Sequence, residues 1–424
     1  MNSPTDSGAW RVAVSEWRTH WRVALAATLG AGVSFSIWPA VSSLFVEPLQ
    51  ATFGWSRGEI ALAQNASLAA ALVSPVLGRL VDRVGVRPVL LVGLCLTALG
   101  YFCLALLHGP LPVYYLIYTL FAIVGVTTTG LTFTRVINGA FDASRGLALA
   151  VTRSGLALSS AILPPVVFMA IAAFGWRAGY ALMGILILLV AFPVTWLWIR
   201  NGAVQSVSSA PGQAPIAWSS LLKNHRVVLI CLAAALNYAP IVALLSQFQP
   251  MLTGKGVDPA DAAGIIGLIG ASALVGALIS GVLVDRLWAP VVAFVFTLGP
   301  ALGCLLLMAD SLDRTSAIIA VVLLGLGQGA EIDVVAYMIA RYFGLKAYAA
   351  IYGLSVLVIS LMVAIGGTLM GLSYDRFGHY NVALAVAAGC FLISALSYLG
   401  MGRYPAPLQD TTFDAGPSSA AVRQ

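Results

Sequence analysis

Gly78-Arg79-Leu80-Val81-Asp82-Arg83-Val84-Gly85-Val86-Arg87-Pro88 packs three arginines and an aspartate into eleven residues. On either side of it the chain is apolar, over residues 58 to 78 before it and 88 to 107 after it. A helix rises about 1.5 Å per residue, so runs of about twenty residues match a hydrocarbon core of about 30 Å. The stretch therefore reads as a polar turn between two membrane-crossing helices. Its glycines permit a tight turn against neighbouring helices. Asp82 is placed to face a helix N-terminus, and the arginines to bridge to another part of the molecule.

The same pattern continues outward. Apolar runs are expected as helices at 22–47, 58–78, 88–107, 112–138, 147–171, 178–199, 225–248, 260–281, 290–308, 315–340, 347–371 and 380–401. With 60% hydrophobic and only 9% charged residues in 424, too few charges exist to cover a water-soluble globule, so lipid must be the main solvent. The net charge of +6 does not indicate a nucleic-acid partner, because the basic residues are scattered singly between apolar stretches. All five cysteines fall inside apolar runs without motif spacing, so neither a disulfide nor a metal site is expected. The first twenty residues hold Arg11, Glu16, Arg18 and His20 and no early apolar segment, so the first helix itself is expected to direct insertion. Pro164 and Pro165 are expected to bend the fifth helix, and Pro240 the seventh.

The chain also repeats. Gly78-Arg-Leu-Val-Asp82-Arg83 after the second run returns as Gly281-Val-Leu-Val-Asp285-Arg286 after the eighth, about half the chain away. A Ser-, Gly-, Pro- and Ala-rich segment lies near the middle. Together these predict an all-α membrane protein of twelve helices in two pseudo-symmetric six-helix bundles. The expected boundaries are a tail at 1–21, a bundle at 22–200, a linker at 201–224, a bundle at 225–401 and a tail at 402–424. With an even helix count, fifteen Lys and Arg outside the runs fall on the side of the termini. Five fall on the other side: Arg57, Arg177, Lys255, Arg314 and Arg376. The positive-inside rule then puts both termini in the cytoplasm of a cell with this protein in its inner membrane.

The motif at 78–88 closely resembles the signature between helices 2 and 3 of the major facilitator superfamily. That resemblance implies a conformational latch made of Gly78, Asp82, Arg83, Gly85 and Arg87, with Asp285 and Arg286 as its second-half counterpart. A narrower resemblance joins Phe45-Val-Glu-Pro48-Leu49, Phe53-Gly54-Trp55-Ser56-Arg57, Arg145-Gly146-Leu147-Ala148, Arg341-Tyr342-Phe343-Gly344, Ile351-Tyr352-Gly353 and Asp375-Arg376-Phe377-Gly378. Together these are similar to the bacterial relatives of the monocarboxylate transporters and oxalate/formate exchangers. The aspartate and arginine that well-known monocarboxylate carriers place in helix 8 are missing here, where Ala262 to Gly281 carries no charge.

An ionised side chain near a bilayer centre costs about 2.5–3.5 kcal/mol on insertion scales, so charges within the runs point to function or pairing. Arg135 stands in Arg135-Val-Ile-Asn138-Gly139, which resembles a superfamily helix 4 motif tied to substrate or proton handling. Arg153 lies about two turns into helix 5 and can offer a bidentate fork to a carboxylate. For both, snorkelling to the interface is the competing reading. Glu331 and Asp333 lie deeper, in Gly327-Gln328-Gly329-Ala330-Glu331-Ile332-Asp333, and point to different sides of their helix. Aligning the halves sets helix 10 against helix 4, which suggests a pair between Arg135 and a helix 10 carboxylate. Ser34, Ser36, Gln64, Asn65, Asn237, Tyr238 and Gln328 are candidate hydrogen-bonding groups, with helix packing the alternative for each.

The expected function is secondary transport of a small organic anion, a monocarboxylate first among them, by alternating access, either with protons or in exchange for a counter-anion. Arg135, Arg153, Glu331, Asp333, Asn237, Tyr238 and Gln328 are the candidate substrate and coupling residues. The alternatives are proton-driven efflux of a hydrophobic or cationic compound and, more remotely, a sensor on a transporter scaffold. No enzyme activity, cofactor or obligate protein partner is expected. Membrane lipid is the expected surround.

Overall fold

The computed structural model describes residues 6–199 and 224–404, with the side chains of residues 6–11, 82, 130, 131, 332, 345, 346 and 349 outside that set. The expected linker, except Asn224, and the tail beyond Tyr404 lie outside the described residues. Among those described, the chain is helical with no strand. Eleven helices are long and apolar enough to cross a membrane, and a bent pair makes a twelfth crossing. In chain order they are α1 (Val12–Val33 continuing as Phe35–Phe53), α2 (Arg57–Val81), α3 (Val86–Ala105), α4 (Leu111–Ala140), α5 (Arg145–Phe174) and α6 (Trp176–Trp198). The second half runs α7 (His225–Thr253), α8 (Pro259–Arg286), α9 (Ala289–Leu307), α10 (Arg314–Gly344), α11 (Ala350–Phe377) and α12 (Asn381–Leu399).

The first crossing departs most from the sequence expectation. Its helix begins at Asp6, so most of the segment expected as a tail is helical, and the crossing turns by 46° after Val33. Ser34 is extended there (φ −83°, ψ −165°), and Pro39 five residues on has no N–H to continue the ladder. Helix α4 breaks as well, at a tight turn over Val126–Thr128 followed by an extended Thr129. Its run of β-branched residues is poorly suited to a helix interior. The two breaks meet, with the Phe35 N–H donating to Thr128 Oγ1 at 3.4 Å. By contrast α5 and α7 each run as a single helix through their prolines. Between α10 and α11 the only non-helical residue is Gly344 (φ 73°, ψ 169°), a left-handed conformation that suits glycine.

The halves pack through α1 on α7, α2 on α11 and α5 on α8. Close approach at the last of these depends on small residues. A methyl on Gly267 or Gly270 of α8 would collide with the carbonyls of Ala161 or Ala157 on α5. The first half also has an aromatic core, in which Trp38 packs against Phe45, Tyr101, Tyr118, Phe121 and Tyr180, and its Nε1 donates to Tyr118 at 2.6 Å.

Candidate functional site between the two halves

The face of the molecule opposite the termini is closed by polar contacts between the halves. Ser56 caps α2 and forms a reciprocal capping box with Glu59. A second carboxylate, Asp375 at the end of α11, then accepts from Ser56 Oγ (2.7 Å), Arg57 N (3.1 Å) and Gly58 N (2.8 Å). A helix N-terminus favours an anion, and this anion comes from the other half. The Arg57 guanidinium lies 3.8 Å from the Tyr374 ring centre and donates to Tyr380 Oη (2.7 Å) and to the Pro250 carbonyl (3.4 Å). Thr253 of α7 donates to Glu47 of α1 at 2.7 Å, and Thr368 of α11 donates to Asn65 of α2 at 3.2 Å.

Closer to the termini, the described contact between charged groups of the two halves is the ion pair of Arg153 on α5 with Asp333 on α10. Both side chains remain reachable by solvent, at 50% and 39% exposure. The pair lies about 12–16 Å in from the ends of its helices at 1.5 Å per residue. The halves are therefore joined on both sides, by the polar contacts at the face opposite the termini and by this exposed pair nearer to them.

Two residues deeper on α10, about half a turn round the helix, Glu331 is only 5% exposed. Neither carboxylate oxygen has a hydrogen-bond partner among the described residues. Its electrostatic neighbours are Tyr238 on α7, Tyr352 on α11 and Tyr398 on α12. Tyr352 also senses Arg153 and Asp333, and stacks on Tyr348 at 5.6 Å. Asn237 is buried; its Nδ2 donates to Thr297 at 3.5 Å while its Oδ1 is unpartnered. Tyr352 is thus a shared electrostatic neighbour of the exposed ion pair and the buried carboxyl.

The remaining sequence candidates fall elsewhere. Asp333 pairs with Arg153, and the suggested pairing of Arg135 with a helix 10 carboxylate is not the arrangement found. The Arg135 guanidinium lies beside Gly78 of α2, 3.9 Å from where a Cβ there would stand. Gln328 is half-buried on α10. Gln64 packs against Gly367 of α11, and Ser34 donates to the Ala31 carbonyl at 3.2 Å. Of the latch residues, Gly85 takes φ 97° and ψ 157°, and Arg87 donates to the Trp196 carbonyl at 2.8 Å within the first half. Arg83, Asp285 and Arg286 are exposed, and the Asp82 side chain is outside the described set. Sequence reasoning missed the opposite-face closure, although the Ser-x-x-Glu capping box at 56–59 marked one side of it.

A family model for the Major Facilitator Superfamily matches residues 23–366. The chain belongs to the major facilitator superfamily. This superfamily chain is a membrane transport protein, not an enzyme. It is 32% identical over 267 residues to the transcription regulatory protein OpdE of Pseudomonas aeruginosa, a match covering 61% of this chain and 64%, just under two thirds, of that relative's length. It is 26% identical over 398 residues to monocarboxylate transporter 11 of Mus musculus, covering 90% of this chain and 87% of that one. The crystal structure of a D-xylose-proton symporter overlays with a TM-score of 0.74 at 16% identity, over 91% of this chain and 98% of that one. That likeness establishes the twelve-helix fold.

Proposed function

We propose that this superfamily member is a secondary active transporter of a small organic anion, a monocarboxylate in the first instance, working by alternating access with proton coupling. The observation that carries the proposal is the Arg153–Asp333 pair, which joins α5 of one half to α10 of the other and stays exposed. A solvent-exposed ion pair contributes only about 0–1 kcal/mol, so an incoming carboxylate can take the guanidinium from Asp333 at little cost. Losing that link between α5 and α10 frees the halves to rearrange. The relatives named as monocarboxylate transporters support the substrate class.

Glu331 is the group suited to proton coupling. A buried ionised carboxylate without a partner carries a penalty of several kcal/mol, whereas the neutral acid does not. Arg135, beside Gly78, is assigned to the latch. The fifteen-to-five charge asymmetry supports cytoplasmic termini in the inner membrane. The expected division into bundles at 22–200 and 225–401 accords with helix packing that leaves α1, α2 and α5 to meet α7, α11 and α8. Membrane potential supplies about 2.3 kcal/mol per charge per 100 mV, so no nucleotide is required.

The test is uptake of labelled lactate, pyruvate, formate, oxalate and larger aromatic acids into proteoliposomes, with and without an inward proton gradient. Gradient-driven, saturable uptake should be lost in Arg153→Gln. In Glu331→Gln, counterflow should persist while gradient-driven accumulation disappears. If no acid moves under any gradient and lipophilic cations exchange instead, the efflux alternative replaces this reading.

A further inference from the structure

On the outer side of the second half a groove of about 400 Å³ opens between α7, α11 and α12. It exists because the sequence places small residues where the three helices converge: Ala239 and Ala243 on α7, Gly366 on α11, Ala383 and Ala387 on α12. Its rim includes Leu369, Phe377 and Val386, which are exposed at 56%, 49% and 60%. A groove of this volume is in the range that holds a ligand, and leaving it empty would forfeit dispersion contacts along its walls.

Two polar groups sit at the end away from the chain termini, one turn apart. Ser373 Oγ is buried and has no hydrogen-bond partner among the described residues. That is unusual for a helical serine, which commonly bonds back to the carbonyl four residues before it. Arg376 is exposed and makes no ion pair or hydrogen bond among the described residues. From Met362 at the inner end to Arg376 the groove follows fourteen residues of α11, about 21 Å. Half of a hydrocarbon core of about 30 Å is about 15 Å, so this length is one leaflet together with its interface.

We propose that the groove is a phospholipid site. One acyl chain lies along the small-residue floor past Ser373, and the phosphate sits on the Arg376 guanidinium. Arginine suits that position because its fork meets phosphate oxygens in pairs. Arg376 follows Asp375, the residue that caps α2 from the other half. A lipid held there steadies the end of α11 and favours closure of that face.

Cys390 lines the groove and reports on it. In the full-length chain with the other four cysteines replaced by alanine, the rate of maleimide alkylation at Cys390 is measured in detergent, with and without added phosphatidylglycerol. The expected result is slowing of alkylation by the lipid, with the half-maximal concentration raised about tenfold in Arg376→Gln, the scale of a lost hydrogen bond to a charged group. Glycerol phosphate, which lacks the chain, should not slow it. Arg376 is exposed, so this variant should fold; its thermal melting is checked alongside. Slowing that is equal in wild type and Arg376→Gln would mean general lipid solvation and overturn the site, as would no slowing at all. Neither result bears on anion transport.

Discussion

Asp375→Ala should shift the balance between the two open states, because Asp375 bonds to the first half only when the face opposite the termini is closed. The substitution removes three hydrogen bonds, from Ser56 Oγ, Arg57 N and Gly58 N. Buried bonds to a carboxylate contribute about 1.5–3 kcal/mol each. Asp375 is exposed, so the range of about 0.5–2 kcal/mol for a lost N-cap is the better guide. The cap is lost only in the closed state, since α2 keeps its own box: Ser56 Oγ still accepts from Glu59 N at 3.1 Å, and Glu59 still accepts from Ser56 N at 2.8 Å. A change of about 0.5–2 kcal/mol alters the ratio of states by a factor of about 2–30. Single-molecule energy transfer between dyes at Ala51→Cys and His379→Cys, both exposed on that face, reads the ratio directly once the native cysteines are replaced. The low-transfer population should grow by that factor in Asp375→Ala. An unchanged distribution would show that Asp375 does not hold the closed state and that the aromatic clamp on Arg57 suffices.

Arg153→Asp combined with Asp333→Arg should restore part of the conformational cycling lost in either single variant, but not anion binding, because the guanidinium then sits on α10; binding by tryptophan fluorescence separates the two effects. Gly329→Ala places a methyl against the backbone carbonyl of Ala273 on α8. It should lower stability by about 1–3 kcal/mol in thermal melting, while Gly353→Ala, where the space is open, should not. Glu16 lies ahead of the first apolar run and accepts from Asp142 N, Ala143 N, Ser144 N and Ser144 Oγ at 2.7–3.0 Å. Those bonds, chiefly the one from Ala143 N, lower its pKa to about 2 from an ordinary 4.5. Because the folded value is the lower one, the stabilisation is present above about 4.5 and lost as pH falls toward about 2. The gap in melting temperature between wild type and Glu16→Gln should therefore narrow across that window.

The sequence by itself determined what depends on length and local composition. The twelve crossings follow from runs of about twenty apolar residues, and their ends from single glycines and charges, as at Gly85. It also placed Arg153, Glu331 and Asp333 inside the membrane, since a charge in an apolar run is visible whatever surrounds it. The bend after Val33 was less legible, because a proline and an extended serine in an apolar run do not alter its hydropathy. Tertiary structure alone decided which charges meet. Arg153 and Asp333 are 180 residues apart, and Ser56 and Asp375 are 319 apart. Their pairing depends on how each helix is rotated and tilted against its neighbours. Arg135 and Arg153 both stand within a few turns of the termini-side ends of apolar runs, and the sequence does not say which meets a carboxylate. In the folded chain the first lies beside Gly78 of α2, while the second reaches Asp333 of α10. Likewise Glu331 and Asp333, two residues apart, differ by about 200° around one helix. That rotation leaves one carboxylate buried and the other exposed beside Arg153.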